Sequence, residues 1–229
     1  MFFDPLYVIL VLPMVIIALV AGAKVRSTYD KYSKIRTRRG MTAEMAVRKI
    51  LDANGLYNVT VTRVSGNLTD HYDPQNQTVA LSDTVYGSTS VGAIGVAAHE
   101  AGHAIQHAEA YGPMELRRAI VPVTSFVSGL SVPLFFIGLL FELSPIVYAG
   151  IILFALTTVF ELVTLPVELD ASKRAMAILR GNAYLDDDEL KGVKSVLTAA
   201  AMTYLASLLV SLASLLRLVL LAGGRSRRD

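Results

Sequence analysis

Four stretches of the chain, 6–23, 119–141, 145–165 and 199–222, are apolar over a length that suffices to cross a hydrocarbon core, which takes roughly 20 helical residues. Lipid offers the backbone no hydrogen bonds, so each stretch is expected to be a helix. The first ends in Ala21, Gly22 and Ala23, which resemble a signal-peptide cleavage site, but no basic residue precedes the apolar run. It therefore reads as an uncleaved anchor. The second and third are separated only by Glu142, Leu143 and Ser144 and read as a tight helical hairpin. Within it Pro133 and Pro145 kink or start helices, and Gly129, Gly138 and Gly150 permit close helix contact. The fourth either crosses fully or packs partly embedded against the others, and its Arg217 must snorkel or find a partner.

Basic residues give these spans a direction, because cytoplasmic flanks carry excess Lys and Arg. Lys24, Arg26, Lys31, Lys34, Arg36, Arg38 and Arg39 follow the first span, Arg117 and Arg118 precede the second, and Lys173, Arg174 and Arg180 follow the third. All three groups fall on one side, with the hairpin turn on the other. The expected order is an N-terminal transmembrane anchor (1–23), a cytoplasmic region (24–118), a transmembrane hairpin (119–165), a second cytoplasmic segment (166–198) and a transmembrane or membrane-embedded helix with a basic tail (199–229). Arg225, Arg227 and Arg228 fit this scheme poorly if the last helix crosses. The basic run from 24 to 39 reads as a topology determinant and a contact for anionic lipid.

Composition removes several alternatives. With 53% hydrophobic and 17% charged residues among 229, the chain is neither disordered nor a highly charged soluble protein. It has no cysteine, which excludes disulfide scaffolds, thiolate metal sites and cysteine nucleophiles. A net charge of +2 gives no ground for a nucleic-acid partner.

The polar region after the first span mixes helix and strand signals. Residues 41–54 read as an amphipathic helix with Thr42 as N-cap, Val47, Ile50 and Leu51 on one face, and Gly55 as the stop. Residues 58–62 alternate polar and apolar, Asp73, Pro74, Gln75 and Asn76 signal a turn, and 78–81 reads as a second strand. A small sheet is expected, with 78–81 as an edge to which an extended substrate could add. Ser88, Thr89 and Ser90 offer N-caps for a helix over 91–110. Asp186, Asp187, Asp188 and Glu189 read as a solvated loop or a helix start.

The 91–110 helix carries His99, Glu100, Ala101, Gly102 and His103, an H-E-x-x-H pattern. Residues four apart share a helix face, so both rings can direct a nitrogen at one ion, while Glu100 reaches water bound to it. Zinc suits two imidazoles and an open site, and lowers the pKa of its water to about 7. Glu100 can then take the proton and return it to a leaving amine. A catalytic zinc needs a third protein ligand. The metzincin arrangement fails, because Gln106 and Glu109 occupy the relevant places and no glycine bend is present. His107 lies roughly 6 Å further along the helix and is better suited to a structural or supporting role. The hairpin returns the chain to the side of His99 and His103, which favours Glu168 just past the third span. Glu161 lies deeper, and Asp170 points elsewhere on the same helix. His71 and Tyr72, in the polar run Asp70, His71, Tyr72, Asp73, are candidates to stabilise the transition state or bind the substrate backbone.

Three segments carry a resemblance: 68–74 (Leu, Thr, Asp, His, Tyr, Asp, Pro), 96–106 around the two histidines, and 165–172 (Leu, Pro, Val, Glu, Leu, Asp, Ala, Ser). Through them the chain resembles the YugP-type family of bacterial membrane zinc metallopeptidases along essentially its whole length. The resemblance implies a zinc-dependent endopeptidase in the bacterial cytoplasmic membrane, one zinc per chain, with His99 and His103 as ligands and Glu100 as acid/base. By analogy with HtpX-type gluzincins, Glu168 takes the third ligand's place. Those enzymes typically carry an Asp four residues further on, where this chain has Ser172. Either Ser172 or Asp170 can supply the hydrogen bond that orients a zinc histidine.

The expectation is therefore a mainly α-helical integral membrane protein with a small β-sheet and a membrane-apposed, zincin-like catalytic region facing the cytoplasm. Its partners are the bilayer and protein or peptide substrates associated with it. A non-catalytic, zinc-stabilised scaffold or adaptor is the competing reading. Glu100 opposes it, because a structural site needs no base and closes its fourth position. Zinc transport needs more polar residues in the spans than Glu142 and Glu161 provide.

Overall fold

The computed structural model describes residues 4–225. A π-helical turn, Tyr7–Val11, leads into α1 (Leu12–Tyr32), followed by α2 (Ala43–Ala53), β1 (Thr60–Val64), β2 (His71–Asp73), β3 (Thr78–Ser82), α3 (Val91–Ala108), α4 (Gly112–Leu140), α5 (Ser144–Gly181) and α6 (Asp187–Arg225). Four helical segments, Tyr7–Tyr32, Gly112–Leu140, Ser144–Gly181 and Asp187–Gly224, are long and apolar enough to cross a membrane. The protein is thus mainly helical with one small sheet. Each long helix outruns the apolar stretch that marks it in the sequence. The chain forms two compact units: the described residues of 1–21, 115–165 and 203–229, and a second made of Gly22–Met114 with Pro166–Met202.

The first unit is a helix bundle. Phe135, Val147 and Leu218 form its buried centre. Helices α4 and α5 approach backbone to backbone there: a Cβ on Gly138 would stand 2.6 Å from Val147 N, and one on Gly150 would stand 2.7 Å from Phe135 N. The hydroxyls of Thr158 and Ser211 pair at 2.8 Å. Arg217, 7% exposed, finds its partner in Asp4, with Nη2 and Nε at 2.5 and 3.0 Å from Oδ2. Tyr7 and Phe136 place their rings within 5.3 and 5.8 Å of its guanidinium. The tail residues Arg227 and Arg228 lie outside the described residues.

In the second unit three strands order as β1-β3-β2, with β1 parallel and β2 antiparallel to β3. The central place of β3 corrects the expectation that 78–81 forms an edge: both its sides are occupied, and the edges are β1 and β2. Its residues Val79, Ala80 and Leu81 are buried, as a strand covered on both faces requires. Val47, Ile50 and Leu51 of α2 join Val79, Leu81, Ile94, Ala97, Leu179 and Val193 in one core. Thr42 occupies the N-cap position of α2, but its hydroxyl makes no capping bond. Ser90 does cap α3, accepting from Ala93 N at 3.2 Å. Glycines on α3 let three neighbours approach: Gly92 meets the Tyr32–Ser33 backbone, Gly95 meets Val193, and Gly102 meets Ala171. The acidic run at 186–189 is a helix start. Glu189 is buried and accepts from Asp186 N and Arg38 N, while the Arg38 guanidinium binds Asp186 and Asp188. Arg38 thus has a folding role besides the topological one read from the sequence.

Candidate metal centre

Helix α3 places His99 and His103 one turn apart, and their rings meet edge to face with centroids 4.7 Å apart. The second half of α5 supplies Glu168. Its Oε2 lies 3.1 Å from His99 Nε2 and 3.5 Å from His103 Nε2. Among the described residues, these three form the single cluster whose potential ligand atoms all lie within 4.8 Å of one another. Donors bonded at about 2.1 Å to a tetrahedral ion stand about 3.4 Å from each other, so the spacings suit such an ion. The donor set, two imidazole nitrogens and a carboxylate oxygen, is one that zinc takes with a fourth position left open.

The crossing of α3 over α5 makes this convergence possible. A Cβ on Gly102 would stand 2.7 Å from the Ala171 carbonyl oxygen, so only glycine lets the two backbones come this close. The site is secluded: Glu168 is 3%, His103 7% and Glu100 8% exposed. Glu100 shares the helix with both histidines, and no hydrogen bond among the described residues engages its carboxylate. It stands near enough for its charge to act on His103. Burial pushes the His103 imidazole down, but the facing carboxylates of Glu168 and Glu100 outweigh it and hold the ring above its usual value.

Behind the rings lies a second set of contacts. His99 Nδ1 meets Ser172 Oγ at 3.1 Å. His103 Nδ1 meets Gln106 Oε1 at 2.9 Å. The Gln106 amide donates to Val167 O at 2.8 Å and to Asp170 Oδ2 at 2.9 Å. Arg174 then binds Asp170 at 2.5 Å and Glu109 at 2.6 Å and lies over the Tyr111 ring. Ser172 and Asp170, alternatives in the sequence, are thus both in use: one touches His99 directly, the other reaches His103 through Gln106.

The other sequence candidates are not among the three clustered ligands. His71 is exposed on β2 and donates from Nδ1 to Thr69 O at 2.9 Å. Tyr72 OH bonds His107 Nδ1 at 2.8 Å, and this pair ties β2 to the last turn of α3. Glu161 belongs to the helix-bundle unit. Sequence reasoning passed over Gln106, Arg174 and Glu109 as site residues. The only available signals were the spacing of Gln106 three residues past His103 and of Arg174 four past Asp170.

Residues 7–223 match the model of a family described as "Putative neutral zinc metallopeptidase". The chain is 48% identical over 201 residues to the "Putative membrane protease YugP" of Bacillus subtilis (strain 168), an alignment covering 88% of this chain and 89% of that protein. No solved structure matches it. Both matches run through the H-E-x-x-H helix and the α5 segment that faces it, and on their extent the chain belongs to the YugP-type family of zinc metallopeptidases.

Proposed function

We propose that the protein is a membrane zinc endopeptidase that cleaves protein or peptide substrates at the cytoplasmic face of the bacterial plasma membrane. The observation that carries the proposal is the convergence of His99 Nε2, His103 Nε2 and Glu168 Oε2 beside the buried carboxylate of Glu100, which no hydrogen bond among the described residues engages. His99, His103 and Glu168 would hold the metal, one per chain. Bound zinc supplies the Lewis acidity that makes water nucleophilic at neutral pH and polarises a carbonyl. Glu100 takes a proton from the attacking water on its carboxylate and delivers it to the departing amine nitrogen. Ser172 and Gln106 hold the two rings in place from behind. The basic flanks of the spans support a cytoplasmic site, and the four apolar helices support substrates that are themselves at the membrane.

The test separates metal from chemistry. Purified protein should carry about one zinc per chain, and Glu100→Gln should keep that zinc while losing cleavage of an unstructured substrate such as casein. Full activity in this variant would refute the role of Glu100.

A further inference from the structure

Gln106 is completely buried, on α3 one turn beyond His103. A buried amide needs partners for its oxygen and for its NH2 group, and here the partners leave only one orientation. Val167 O accepts and cannot donate, and it lies 2.8 Å from Nε2. Asp170 Oδ2, 2.9 Å from Nε2, is bound by the Arg174 guanidinium at 2.5 Å, so it is a carboxylate and also only accepts. The NH2 group therefore faces α5, and Oε1 faces His103 Nδ1 at 2.9 Å. An amide oxygen has no hydrogen to give, so Nδ1 must carry one. In a neutral imidazole that leaves Nε2 with the lone pair, and Nε2 is the atom that points to Glu168.

We infer that Gln106 is a positioning residue: it fixes His103 in the Nδ1–H tautomer and ties that ring to the turn of α5 that carries Glu168. The inference rests on the metal-centre reading and goes beyond it, because it assigns how one ligand is prepared for the metal. His99 is held differently. Its Nδ1 meets the Ser172 hydroxyl, which can donate or accept, so that contact alone does not select a tautomer. Arg174 serves Gln106 from one step further out: bound also to Glu109, it keeps Asp170 an acceptor, and Asp170 keeps the amide from turning over.

The chain has four histidines, which makes their ring nitrogens assignable one by one in the full-length, detergent-solubilised protein. In the zinc-loaded protein, nitrogen NMR should show His103 protonated at Nδ1 and bound to metal through Nε2. Gln106→Ala should lower zinc affinity, read by competition with a chelator, about 10–100-fold while helicity is unchanged. Gln106→Glu keeps an oxygen for Nδ1–H but sets a second carboxylate against Asp170, and should lose at least as much. Adding Asp170→Asn exchanges donor and acceptor between the two positions and should recover much of that loss, which a role in helix packing alone would not produce. His103 bound through Nδ1, Gln106→Ala binding zinc as tightly as the unaltered protein, or no gain from the added Asp170→Asn would each overturn the inference. If Gln106→Ala does not fold, the tautomer in the unaltered protein decides. Unaltered protein that takes up no zinc sinks the metal-centre reading itself, whereas zinc uptake with any of the adverse results sinks only the role of Gln106.

Discussion

Glu168 comes to its histidines from 65 positions or more along the chain, and at 3% exposure it has little water to stabilise its charge. A carboxylate so placed needs the two imidazoles, or an ion between them, as partners. Removing it and removing a contact behind a ring should therefore differ in kind. Glu168→Ala should leave the protein with well under one zinc per chain at concentrations that saturate the unaltered form. Ser172→Ala, which deletes only the 3.1 Å contact to His99 Nδ1, should retain zinc with affinity lowered about tenfold. Equilibrium dialysis with zinc checks both; unchanged binding in Glu168→Ala would overturn its assignment as the third ligand. His99, Glu100 and His103 were legible in the sequence because helical spacing alone sets their relation. Gln106 was not, because an amide is no metal ligand and its orientation depends on acceptors 61 and 64 residues away.

At the scale of elements, the site depends on how closely α3 approaches α5. Past Pro166, α5 buries Val167, Ala171, Ala175 and Leu179, four residues apart each time, so one narrow face of small and branched side chains runs on beyond the apolar stretch. This explains why the helix continues to Gly181. Gly102 is the matching position on α3. Gly102→Ala forces a methyl to 2.7 Å from the Ala171 carbonyl, which should destabilise the protein by about 1–3 kcal/mol and weaken zinc binding as Glu168 and Ser172 move away. Gly129 of α4 has nothing within 4 Å of an added Cβ, so Gly129→Ala should leave both unchanged or raise stability slightly. Thermal unfolding in detergent and zinc competition distinguish the two; equal behaviour would show that the crossing tolerates a wider gap. Strand periodicity announced β1, and the turn signal at 73–76 announced β3, but neither announced their neighbours. The unbroken apolar run Val79, Ala80, Leu81 was the available sign of a strand buried on both faces, and the parallel pairing of β1 with β3 has no local signature at all.

At the scale of the whole molecule, the four long apolar helices were legible because a membrane span needs only length and apolarity, whereas the partner of Arg217 was not, because Asp4 stands 213 residues away. The proposed cytoplasmic placement of the metal centre rests on charge. Lys and Arg flank the spans at 24–39, 117–118 and 173–180, and the hairpin turn between α4 and α5 has none. Translocating those basic flanks is disfavoured, so the β2–β3 turn and the rest of the 24–118 region should face the cytoplasm and the hairpin turn the exterior. The absence of cysteine makes this directly measurable, since an introduced thiol is the sole one in the chain. Gln75 in the β2–β3 turn is exposed, and Leu143 in the hairpin turn is 45% exposed, so both substitutions leave the buried core untouched. In intact cells, a membrane-impermeant maleimide should label Leu143→Cys and not Gln75→Cys, and permeabilising the membrane should open Gln75→Cys to the reagent. The reverse pattern would place the metal centre on the outer face, and the substrates would then have to be sought among extracytoplasmic segments.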